Sequence, residues 1–327
     1  MKKYYKPKVV SPSFEIVPDD IGLAVRIEFT GRVCYKSEDR ISADSSAGFC
    51  RGMVNHKHNS VLEMGVRTCE VKARTKSHMR EIIMAMPKYL FIDDFPFEKR
   101  TLITGSVRAF REMLMRLPGN EIIRTIAFDM NKNHPYFFED IASLLPVKRS
   151  RKISCRQVSL EEIDQMEPEI QARHRHLAVK FIVSRAVTHE IVRHRPCSFL
   201  QESQRYCCYS DGKFGSRITF IKPVFFKEDS EDYEIWGKEC LSAEAVYMKL
   251  IKNNSPQAAR TVLPNSCKTE IFVYANLAEW HHILHMRTSK AAEPSMREVM
   301  IPLQKELMKR FPEQNFGEPL RMPEGYV

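Results

Sequence analysis

The chain has 327 residues, 43% of them hydrophobic and 28% charged, which supports a sizeable buried core and excludes long disorder. The formal net charge is +10, which favours anionic partners. Only 12 glycines occur, about half the usual share of about 7%.

In chain order, Ile21 to Tyr35 reads as a strand or helix, with Val25, Ile27 and Phe29 alternating. Residues 45–64 read as helical, and Ser60 with Glu63 has the spacing of a capping box. Gly65 to Ala73 alternates as a strand does. Residues 74–176 carry Met- and Arg-rich helical patterns at Ser77–Met86 and Val107–Leu117. A basic run (Lys148, Arg149, Arg151, Lys152, Arg156) and an acidic run (Glu161, Glu162, Asp164, Glu167, Glu169) then predict a solvated, flexible end. This stretch reads as an inserted, mainly helical subdomain between two parts of one domain, 1–73 and 177–327. Leu177, Val179, Phe181 and Val183 alternate as a strand, and Ser184 can cap the helix that follows. Pro196 should stop that helix near Arg195. Lys268 to Met286 reads as one helix with Val273, Leu277, Trp280 and Leu284 on one stripe. No internal repeat is visible.

Several chemistries are excluded. Neither G-x-G-x-x-G nor G-x-x-x-x-G-K-S/T occurs, so side chains must hold any bound phosphate. The nine cysteines form no C-x-x-C pair, which argues against a disulfide framework or zinc ribbon and for a reducing, cytoplasmic setting. The basic start Met1-Lys2-Lys3-Tyr4-Tyr5 leads into no apolar stretch, and no run reaches the ~18 apolar residues of a membrane span. His189-Glu190-Ile191-Val192-Arg193-His194 is one residue too long for the H-E-x-x-H zinc motif. His281 and His285 lack a third ligand, so no metal is expected.

The densest polar cluster runs from Arg193 to Tyr206: R-H-R-P-C-S-F-L-Q-E-S-Q-R-Y. Adjacent cations repel one another and become favourable beside a bound anion or at a helix C-terminus. R-H-R, then seven residues, then Ser203 resembles the signature of flavin-dependent thymidylate synthases. His58-Asn59-Ser60-Val61-Leu62-Glu63 is similar to that family's H-x-S/T-x-x-E element. Ala259-Arg260-Thr261-Val262-Leu263-Pro264, Asn276-Leu277-Ala278-Glu279-Trp280 and Met286-Arg287 follow in the family's order. The chain departs from the pattern at Ala278, where an arginine is usual, and at Cys34, Gln201 and Ala292–Ser295.

The resemblance implies an α/β (α+β) fold with a mixed sheet flanked by helices. It implies a homotetramer with FAD at subunit junctions. The implied reaction is methylation of dUMP to dTMP, with 5,10-methylenetetrahydrofolate as carbon donor and NADPH as reductant. It places FAD at His58, Ser60, Glu63, Arg193, His194, Arg195, Asn276 and His282. It places dUMP at Glu190, Gln201, Glu202, Ser203, Gln204, Arg205, Arg260 and Arg287, with Arg287 and Ser203 in the catalytic set. Ser203 fits a hydrogen-bonding role better than a nucleophilic one, because an alcohol needs an adjacent base. Two other readings compete: a catalytically altered family member and a basic nucleic-acid-binding protein. The second is weakened by the dispersal of the basic residues and the absence of a known motif.

Overall fold

The computed structural model describes residues 6–73, 77–87 and 89–317; the basic start at residues 1–5 lies outside them. The first half comprises β1 (Lys8–Val10), β2 (Ser13–Ile16), α1 (Leu23–Arg32), α2 (Ser45–Asn55), β3 (Val66–Ala73), α3 (Ser77–Met84), β4 (Leu90–Phe95), β5 (Arg100–Ser106), α4 (Val107–Arg116), α5 (Glu121–Asn133) and β6 (Ile153–Gln157). The second half comprises α6 (Leu160–Asp164), α7 (Pro168–His174), β7 (His176–Ser184), α8 (Arg185–Ile191), β8 (Ser198–Gln201), β9 (Thr219–Ile221), α9 (Glu231–Leu250), α10 (Pro256–Ala259), β10 (Lys268–Asn276), α11 (Leu277–Arg287) and α12 (Pro294–Arg310).

The architecture is α+β. Two four-stranded sheets, ordered β4-β5-β3-β6 and β2-β7-β10-β8, are antiparallel, and β1 pairs with β9 in parallel. The second sheet is covered on both faces. Leu177, Val179, Phe181, Ile271, Val273 and Ala275 face α8, α11 and α12. Ala178, Leu200, Phe272 and Tyr274 join the core of the first half. That double burial explains why Lys268–Asn276 reads as helix: a central strand has no polar face, so its apolar run carries no two-residue period. The single helix expected over Lys268–Met286 is therefore a strand followed by a helix. Its stripe residue Trp280 is fully buried, and its indole N–H donates to the Leu177 carbonyl at 3.0 Å.

The inserted helical subdomain expected at 74–176 does not stand apart. β4, β5 and β6 lie in one sheet with β3, so strand pairing crosses the boundary drawn at residue 73. α4 and α5 share a core with α1 and α2. The charge runs near residue 150 are also ordered into structure. Arg156 pairs with Glu70 and Glu162 across β6, and the capping box forms at Ser159 and Glu162. At Ser60 and Glu63 no side-chain cap bond exists; the segment is a short 3-10 turn, and Glu63 accepts instead from Arg108 at 2.6 Å.

A repeat absent from the sequence emerges in the topology. In each half, the first residue of a strand lies opposite the residue that caps the next helix: Val66 opposite Ser106, and His176 opposite Asn276. Ser106 and Asn276 each accept the backbone N–H three residues on, starting α4 and α11. The residues one, four, seven and eight beyond each cap are buried in both: Val107, Phe110, Met113, Leu114 and Leu277, Trp280, Ile283, Leu284. Of the four pairs only Leu114 and Leu284 share a residue type, so it is the packing pattern that repeats.

Two features fix the halves. Gly31 lets α1 approach closely: a Cβ there would lie 2.7 Å from both Phe49 and Val61. A buried polar chain then links the first sheet to α7. Thr68 bonds Thr104 (2.7 Å), Thr104 bonds His174 Nδ1 (2.7 Å), and His174 Nε2 meets Asp93 (2.7 Å), which also takes a two-pronged bond from Arg173. Burial alone would raise the Asp93 carboxyl, but the bonds from His174 and Arg173 hold it below its usual range.

Candidate functional site

Strand β7 ends at Ser184, whose hydroxyl accepts from Val187 N and starts α8. The helix stops at Ile191, four residues before the expected end. Its last turn tightens, with Arg193 N bonding Glu190 O (3.2 Å) and His194 N bonding Ile191 O (3.1 Å). The three consecutive basic residues therefore diverge: His194 turns inward at 7% exposure, while Arg193 and Arg195 stay exposed.

Inside, His194 meets the end of α11. Arg287 donates Nε to His194 Nε2 at 3.0 Å, Nη1 to Glu190 Oε2 at 2.7 Å, and Nη2 to the Glu190 carbonyl at 3.2 Å. In that arrangement His194 Nε2 accepts and Nδ1 carries the hydrogen, facing Glu279 Oε1 at 3.7 Å. Three of the five guanidinium N–H groups are engaged, so Arg287 is held rigid with two donors left for an anion. His282 packs edge-on to His194, ring centroids 5.7 Å apart. The structure thus unites Glu190, His194, His282 and Arg287, and adds Glu279. Glu279 sits three residues beyond the cap at Asn276, inside the family-like segment Asn276–Trp280, but was not singled out as a site residue.

His194, Glu279 and His282 each place one ligand atom within 4.8 Å of the others. Arg287 sets a permanent positive charge against the His194 ring, which opposes a dication there. The His281–His285 pair does not converge on a ligand: His281 is buried and bonds the Asn315 carbonyl through Nε2 at 3.1 Å. Asn276 is buried too, and both side-chain groups are used, Oδ1 by Glu279 N and Nδ2 by the Arg173 carbonyl.

A second cluster lies beyond the far end of β8, a strand of roughly 13 Å. Ser203 N donates to the Cys34 carbonyl at 3.0 Å, and the Ser203 hydroxyl accepts from Arg205 N at 3.3 Å. Arg205 is exposed and bonds Gln257, one turn before Arg260, so those two arginines neighbour each other. Tyr35 lies 5.4 Å from Tyr206 and stacks on His58, with its hydroxyl 3.0 Å from His58 Nδ1. This brings His58, and Ser60 just after it, to the Ser203 loop; Tyr35 was invisible to sequence reasoning because nothing local links residues 35, 58 and 206.

Two expected ligand residues have partners within the fold. Gln201 donates to the Thr188 and Thr269 hydroxyls. Glu202 is buried and accepts from Tyr209 and from Lys268 at 2.7 and 2.9 Å. Next to it, Glu270 binds Lys36, Lys180 and Lys268, which together hold its carboxyl far below the usual range although burial alone would raise it. Gln204 is buried between these groups in sequence. Cys197 and Cys207 are poor nucleophiles: burial pushes Cys207 up to about 12 and Cys197 higher still. All nine are unpaired thiols. No helix among the described residues is long and apolar enough to cross a membrane.

Residues 157–313 match the sequence profile of the family described as thymidylate synthase complementing protein. The flavin-dependent thymidylate synthase of Pyrococcus furiosus is 37% identical over 128 residues, 39% of this chain and 52% of that protein. The flavin-dependent thymidylate synthase of Mycolicibacterium vanbaalenii is 31% identical over 157 residues, 42% of this chain and 60% of that protein. The chain thus spans about half the length of the curated relatives it matches. A crystal structure of the UMP/dUMP methylase PolB from Streptomyces cacaoi, bound with 5-Br dUMP, aligns over 94% of each chain with a TM-score of 0.40 and 13% identity.

Proposed function

We propose that this chain, whose residues 157–313 match the thymidylate synthase complementing protein profile, methylates dUMP to dTMP with FAD, 5,10-methylenetetrahydrofolate and NADPH. The observation that carries the reading is Arg287, locked by Glu190 and His194 with two guanidinium donors unused. A fixed, permanently charged fork suits a nucleotide phosphate or a pyrimidine ring that gains negative charge.

The residues present fit a flavin held without a glycine loop. Arg193 and Arg195 are exposed and have no carboxylate partner among the described residues. Ser60 is not consumed by a cap, Glu63 is held by Arg108, and His58 is steadied by Tyr35. FAD, when bound, supplies hydride. The chain's own part is to hold two flat rings in register, to exclude water, and to hold the His194 ring against Arg287. Arg205 and Arg260 bind the nucleotide phosphate, and Ser203 hydrogen-bonds the nucleotide. Asn276 supports the site by setting the start of α11.

The Arg287 and Arg205 clusters stand apart in one chain, with β8 between them. We therefore read the site as completed by a second copy, consistent with a homotetramer. The cytoplasm suits a folate- and nucleotide-dependent reaction. The test is purification followed by denaturing release of bound FAD and an assay of NADPH oxidation that depends on both dUMP and the folate. Colourless protein that takes up no FAD, or NADPH oxidation indifferent to dUMP, contradicts the reading. An oligomer that binds dUMP but oxidises no NADPH identifies a catalytically altered member instead, the reading that Ala278 motivates.

A further inference from the structure

On the face of the second sheet opposite α11, a cavity of about 450 Å³ lies on the seam between the two sheets. Its lining includes Arg26 from α1, Arg67 from β3, His134 after α5, and His176 and Tyr274 from the second sheet. Arg26 is only 8% exposed. It donates Nη1 to the Tyr274 hydroxyl and Nη2 to the Asp19 carbonyl, both at 2.9 Å, and its Nε is buried with no partner. The Nε of Arg67 is likewise buried and unpartnered. Among the described residues, neither guanidinium has a carboxylate within ion-pair distance.

Arg26 thereby differs from the other fully buried arginines among the described residues. Arg111 is paired with Asp140, and Arg175 with Asp19 and Asp164. A buried permanent charge without a counter-charge is costly, and two beside one cavity also repel. The histidines do not add to the charge: burial lowers His176 to about 3, and burial with the nearby Arg67 lowers His134. The acidic residues of the lining do not answer the arginines either. Asp19 is held by Arg175 and Arg310, while Asp20 and Glu161 are exposed at the mouth.

We propose that this cavity binds an oxyanion of a small molecule between Arg26 and Arg67, with the Tyr274 hydroxyl and the neutral histidines completing the hydrogen bonds. The volume exceeds that of a bare ion and falls in the range of small-ligand pockets. The recognised group is a phosphate monoester or a carboxylate, and the site is independent of the flavin and nucleotide reading above.

The test is calorimetric unfolding of the full chain, titrated with glycerol 3-phosphate in one arm and citrate in another. The native chain and Arg67→Met are compared. The site predicts a saturable rise in Tm in one arm, which identifies the phosphate or the carboxylate as the ligand group. It also predicts at least a roughly tenfold loss of apparent affinity in Arg67→Met, with no loss of Tm in the absence of ligand, because the variant removes an uncompensated charge. If Arg67→Met does not fold, Arg67→Gln serves the same comparison. No saturable rise in either arm, or a rise equally strong in the variant, overturns the proposal.

Discussion

Replacing Arg287 by lysine keeps the charge and removes the fork. The lysine ammonium can hold Glu190 Oε2 but cannot also reach His194 Nε2 and the Glu190 carbonyl. Two of three hydrogen bonds are lost. The side chains of Arg287 and Glu190 are 14% and 32% exposed, so solvent screening reduces each bond to about 1 kcal/mol. The fold should therefore lose only ~1–2 kcal/mol, read by urea denaturation. The nucleotide should lose more. Removing two hydrogen bonds from a charged guanidinium to the nucleotide costs ~3 kcal/mol, or roughly 100-fold in affinity, read by titration calorimetry with dUMP. A dUMP affinity within about threefold of the native value would refute the assignment of the two unused donors.

Other substitutions probe the framework. Asp93→Asn should cost ~3 kcal/mol, because it leaves Arg173 and buried His174 without their shared anion. The folded Asp93 is shifted down, so its contribution is present above the unfolded value of about 3.9 and is lost as pH falls through the folded value; the variant should show a shallower loss of stability in acid. Gly31→Ala should destabilise by ~1–3 kcal/mol despite its gain in helix propensity, since Phe49 and Val61 must move; an unchanged urea midpoint would contradict the close approach. Replacing Cys197 and Cys207 together by alanine should leave a dUMP-dependent turnover in place, because both thiols are buried and stay protonated; complete loss with intact folding would point to covalent catalysis.

What the sequence revealed depended on how local the determinant was. β3, β7, α3 and α4 follow from their own periodicity, and Ser184 caps α8 as its position foretells. β10 was misread because burial on both faces erased its two-residue alternation. Residues 74–176 read as an insertion because the pairing of β3 with β5 and β6, which joins them to the preceding segment, spans residues far apart in the chain. The meeting of Glu190, His194 and Arg287 was legible through the motif. Their rigid geometry was not, since it depends on α8 ending early and α11 running back beside it. Glu202 and Asn276 stand at positions where the motif suggests a ligand contact, and the fold also gives each a buried internal partner, which no local pattern announces.

The most direct measurement of the central claim is titration of the purified, FAD-loaded chain with dUMP while the flavin absorbance is recorded. The account predicts a saturable change in the flavin spectrum that is weakened in Arg287→Lys, because the locked guanidinium and the flavin-facing arginines share one site. A spectrum unmoved by dUMP at any concentration, in protein that holds FAD, would contradict it.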